Sequence, residues 1–165
     1  MPQEFNLQEA VKIAVQTEKD VMDFYNRAAS ITKHERGRKV FQQLAQEERE
    51  HCSHFFKIYT GGDLGTFEQF IQTPPRKESA MLHTLEKALD ENVHERRAME
   101  IALKEEEDLA QNLEQTAANI VDPAVRAVFE RMAKETRDHF AVIESEYAHL
   151  MGMVHETDID TFVRE

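Results

Sequence analysis

Four stretches of the chain place apolar residues at steps of three and four, the spacing of a helix with one buried face. Val11, Ala14, Val21, Tyr25 and Ala28 predict a helix over 7–31, and Phe41, Leu44 and Phe55 a second over 36–58. Met99, Ala102, Leu109 and Leu113 predict a third over 94–119, and Phe129, Met132 and Ile143 a fourth over 124–151. Local signals set the ends. Asn6 with Glu9 three residues on resembles a capping box, and Asp122-Pro123 is an N-cap followed by a first-turn proline. Gly37 marks the turn between the first two helices. Residues 60–76 carry glycines at one end and Pro74-Pro75 at the other, with a short helix expected over 65–72. Another helix is expected from about 78, continuous with the third. Residues 152–165 read as a polar tail beyond a domain spanning 1–151.

Sliding the chain against itself by 88 residues aligns 10–57 with 98–145 without a gap, and thirteen of the 48 pairs are identical. Chance would give roughly three or four in a chain of this bias. The pairs include Ile13/Ile101, Ala14/Ala102, Glu18/Glu106, Phe41/Phe129, Ala45/Ala133 and His51/His139. The chain is therefore read as one helical hairpin used twice. A helix of 25 residues is about 37 Å long, and the connection between the hairpins is long enough to cross the bundle end to end. The predicted class is all-α: a four-helix bundle of two repeated hairpins joined by a long crossover, the ferritin-like arrangement.

Composition narrows the chemistry. The net charge of −12 argues against nucleic acid and anionic membrane as partners. The single cysteine allows neither an internal disulfide nor a rubredoxin-type site. No apolar run approaches the length of a membrane span, and the first residues lack the apolar core of a signal peptide, so a cytoplasmic protein is expected.

The four stripes are apolar at both ends and polar at the centre. Glu18 interrupts the first, Glu48 and His51 the second, Glu106 the third, and Thr136 and His139 the fourth. The repeat brings these centres to matching heights, so Glu18, Glu48, His51, Glu106 and His139 should converge inside the bundle. Taken singly, a stripe glutamate is commonly a rim residue and a stripe histidine a hydrogen-bonded core residue. The Glu-x-x-His spacing and the matched heights favour another reading. Unpaired buried carboxylates cost several kcal/mol each, and no Lys or Arg occupies a central stripe position. Metal ions are the remaining counter-charge, and mixed carboxylate and imidazole donors suit iron or manganese, with zinc also admissible.

The segments IAVQTEKDVMDFY, FQQLAQEEREH, IALKEEEDLAQNL and FERMAKETRDH resemble those of the rubrerythrin-like branch of the ferritin-like di-iron superfamily. The resemblance covers residues 7–151. It implies that Glu18 and His51 serve one iron, Glu106 and His139 the other, and that Glu48 bridges them. It also implies that Tyr25 supports a ligand rather than being one. Two departures stand out: Thr136 occupies the place of the second bridging glutamate, and Leu109 that of a further one. Three carboxylates against two divalent ions leave one positive charge. Hence the second ion is expected to bind weakly, or an anion to complete the bridge. A local π-bulge would bring Glu135 inward as an additional ligand; otherwise it is a flank residue like its repeat mate Glu47. The implied function is a non-haem iron oxidoreductase, peroxidase or ferroxidase, acting on peroxide or dioxygen with an unidentified electron donor, as a homodimer. Two alternatives stay open: iron oxidation and sequestration, or a non-catalytic bundle with a degenerate or structural metal site.

Overall fold

The computed structural model describes residues 5–89 and 94–163, with side chains for 5–87 and 95–152. Every described element is helical: α1 Leu7–Ile31, α2 Glu35–Ile58, α3 Phe67–Ile71, α4 Ala80–Leu89, α5 His94–Ala118 and α6 Pro123–Val163. α1 packs along α2, and α5 along α6, as two hairpins. The stretch after α2 carries the short α3 and then α4, which lies against both α1 and α5. The expected continuity of α4 with α5 falls on residues 90–93, outside the described residues.

The helix starts follow the local chemistry. Asn6 accepts the Glu9 N–H at 3.0 Å, and Asp122 accepts the Ala124 N–H at 2.9 Å ahead of the Pro123 turn. α3 begins with a complete capping box between Thr66 and Gln69, which lets a helix of only five residues persist. The crossover reaches α3 through Gly62 and Gly65, whose φ angles of 75° and 74° suit glycine.

The core forms along the predicted stripes, and every stripe residue of the four long helices is buried. Phe55 meets Phe129 edge to face with ring centroids 4.8 Å apart, pairing the α2 and α6 stripes. One buried cation lies outside the stripes. Lys19, 2% exposed, is ion-paired with Asp23 and donates to the Thr73 carbonyl at 2.9 Å, fastening the crossover to α1. Arg76 with Asp20 and Arg27 with Glu86 add surface pairs along the same seam.

α6 differs from expectation at its end. It runs to Val163 rather than stopping near 151. Residues 153–163 contain neither Gly nor Pro, and the single Gly152 costs only about 1 kcal/mol, too little to end a helix.

Candidate metal centre

Glu18 on α1, Glu48 and His51 on α2, Glu106 on α5 and His139 on α6 meet midway along the bundle. None is more than 5% exposed. His51 Nδ1 stands 3.7 Å from both Glu18 and Glu48. His139 Nδ1 stands 2.9 Å from Glu48 and 3.7 Å from Glu106. The two imidazoles stack with centroids 4.9 Å apart and planes 7° from parallel. Glu48 thus faces both histidines, and each histidine faces the glutamate of its own hairpin. Each Glu-x-x-His separation is one helical turn, which aims both side chains at the same place.

The electrostatics are those of a site with too little positive charge. Both oxygens of Glu18, one each of Glu48 and Glu106, and Nδ1 of His51 are buried without a hydrogen-bond partner. Native interiors rarely leave polar atoms in this state. Burial, reinforced by Glu48, pushes the Glu18 carboxyl well above its usual range. Burial pulls the imidazoles down, but the facing carboxylates outweigh it, holding His51 up to about 11 and His139 to about 10. Buried carboxylates in this setting favour any counter-charge within reach.

Those donors fit metal ions. Glu48, His51 and His139 each offer a ligand atom within 4.8 Å of the others. Two donors at about 2.1 Å from one ion are about 3.0 to 3.7 Å apart over ordinary coordination angles. The contacts of Nδ1 with the carboxylates fall within about that range.

The neighbours are placed as follows. Tyr25, wholly buried, donates its hydroxyl to Glu106 Oε1 at 2.5 Å. Thr136 is also wholly buried, but its hydroxyl donates to the Met132 carbonyl at 2.7 Å and so is spent on its own helix. Leu109 is packed in the core. Cys52 lies 3.5 Å from the Val15 carbonyl, and burial raises its thiol.

Glu135 does not join the ligand cluster. α6 is regular α-helix through this region, so no bulge turns residue 135 inward. Glu135 stands instead 3.1 Å from Nε2 of His51, on the ring edge opposite the cluster. Its repeat mate Glu47 stands 3.1 Å from Nε2 of His139. These outer carboxylates escaped sequence reasoning as partners of the histidines, although their identity across the repeat was a visible signal. Both line a cavity of about 230 Å³ with His51 and His139, beside Glu50 and Asp138.

Among the described residues no helix is long and apolar enough to cross a membrane. No curated protein matches the chain. A hypothetical protein from Pyrococcus furiosus shares the fold with a TM-score of 0.67 at 22% identity, over 90% of this chain and 92% of that one. The rubrerythrin family model matches residues 9–147, a span that holds the whole cluster. On that match the chain belongs to the rubrerythrin family.

Proposed function

We propose that the chain is a non-haem iron oxidoreductase that holds two iron ions between its long helices and reduces peroxide or dioxygen. The observation that supports this best is the set of five partnerless donor atoms on Glu18, Glu48, Glu106 and His51, converging within one buried space. Glu18 and His51 would hold one ion, Glu106 and His139 the other, and Glu48 both. Bound iron supplies the electrons and a Lewis-acid centre for an oxidant. The chain supplies the rest. Its three carboxylates keep both oxidation states bound. Tyr25 holds Glu106 by one oxygen, leaving the other free. Phe41, Leu44, Phe129 and Met132, buried on the same stripes, keep bulk water out. An electron donor would then return the electrons.

Thr136 favours a second reading, a site retained for stability alone, because the chain lacks the fourth carboxylate that would neutralise two divalent ions. Anaerobic loading with ferrous iron followed by peroxide separates the two. The oxidoreductase turns ferric at a rate proportional to peroxide and repeats the change after chemical re-reduction. A chain that binds one ion, or that loses its iron on the first oxidation, refutes the proposal.

A further inference from the structure

The carboxylates behind the two histidines are arranged as a cross. Glu47 of α2 lies on His139 of α6, and Glu135 of α6 lies on His51 of α2, each at 3.1 Å from Nε2. Each uses its second oxygen in the same way, on the residue four positions earlier in its own helix. Glu47 Oε1 accepts from Gln43 Nε2 at 3.4 Å, and Glu135 Oε1 accepts from Arg131 Nε at 3.4 Å. Residues 43 and 131 are themselves repeat mates, 88 apart. Geometry is therefore conserved between the halves while charge is not: one outer carboxylate is backed by a neutral amide, the other by a guanidinium.

A carboxylate on the outer nitrogen of a metal-binding imidazole fixes the proton there, turns the inner nitrogen's lone pair toward the ion, and makes the ring a stronger donor. A cation on that carboxylate withdraws part of the effect. We propose that Glu47 and Glu135 are positioning residues for the metal centre, and that the Gln43/Arg131 exchange makes them unequal, leaving His51 the weaker imidazole donor and His139 the stronger. The inference rests on the metal reading above and adds, behind the imidazoles, an electronic difference separate from the one that the missing carboxylate at Thr136 makes among the inner donors. The ion held through His51 is the more Lewis-acidic and the more readily exchanged.

The test uses Co(II) alone, added to the full chain after chelator treatment. Two signals are followed: the visible absorption of the bound ion, and the strongly shifted exchangeable N–H resonances of the coordinated imidazoles. Loss in His51→Gln or His139→Gln assigns each resonance. The parent should show two distinct N–H resonances. Arg131→Gln should move the His51 resonance toward that of His139 and tighten the ion there by roughly two- to fivefold, the scale of an exposed ion pair. Arg131→Lys, which keeps the charge, should restore the parental values. Glu47→Gln should weaken the ion at His139 by about tenfold, and Glu135→Gln should weaken the ion at His51 by clearly less. Glu47→Gln and Glu135→Gln alter partly exposed side chains and preserve their shape. Equal effects of Glu47→Gln and Glu135→Gln, or an Arg131→Gln variant with unmoved resonance and affinity, overturn the inference alone. A parent that binds no Co(II) overturns the metal reading and this inference with it.

Discussion

Replacing Thr136 by glutamate should change the sign of its effect according to whether metal is present. Position 136 is wholly buried and is the repeat counterpart of Glu48. Without metal the new side chain adds bulk to a packed core, at about 1–3 kcal/mol. It also adds a fourth acid to a cluster that already leaves four carboxylate oxygens partnerless. An unpaired buried charge costs several kcal/mol, relieved in part by protonation. Together the loss should be roughly 3–5 kcal/mol. In a chain of this length each kcal/mol moves the melting temperature by about 2–4 °C, so the metal-free variant should melt roughly 6–20 °C below the parent.

With iron or Co(II) in excess the same carboxylate becomes a donor, and two divalent ions are then matched by four negative charges. Free ligand at a hundred times its dissociation constant stabilises a protein by about 2.7 kcal/mol, so each tightening of that order recovers much of the deficit. The assay is thermal unfolding of parent and variant in chelator and in excess metal, with the ion count measured on both. Glu48→Ala serves as the opposing control and should lose both ions. A deficit that is the same in chelator and in metal would refute the reasoning. So would a parent that already binds two ions tightly and gains nothing from the added carboxylate.

Two further outcomes follow from buried contacts. Lys19→Met should strand the Asp23 carboxylate and lower stability by about 3–5 kcal/mol in urea unfolding; adding Asp23→Leu should restore most of it, because the buried charge is then gone. Tyr25→Phe should cost about 1–3 kcal/mol in the metal-free protein by leaving Glu106 Oε1 without its donor. Its ferric absorption should also shift in the loaded protein, since Glu106 would then be free to turn.

Most of the bundle was legible because its signals are local. Asn6, Asp122-Pro123 and the stripes each act within one helical turn, and α1 lies where they place it, over Leu7–Ile31. Convergence of the five ionisable stripe residues was legible for a second reason: the repeat relates heights on helices that are far apart in sequence. Residues whose burial depends on a neighbouring element were hidden. Lys19 stands off the stripe, and its ammonium is met there by the Thr73 carbonyl of the crossover. Glu47 and Glu135 look like solvated flank residues until α2 and α6 cross closely enough for each to reach the other's histidine. No pattern within one helix encodes that approach. The repeat nevertheless carries information there too, in where it holds and where it breaks. Between α2 and α6 it holds at 47/135 and 51/139, the carboxylates and imidazoles that must match for two ions to sit alike. It breaks at 48/136, which removes a charge inside the cluster, and at 43/131, which adds one behind it. Both breaks alter charge around the same pair of imidazoles while leaving the gapless register of the repeat intact. A duplicated hairpin that began with two equivalent metal positions can become an unequal pair by those two exchanges alone, and reversing them one at a time separates the number of ions held from how differently they are held.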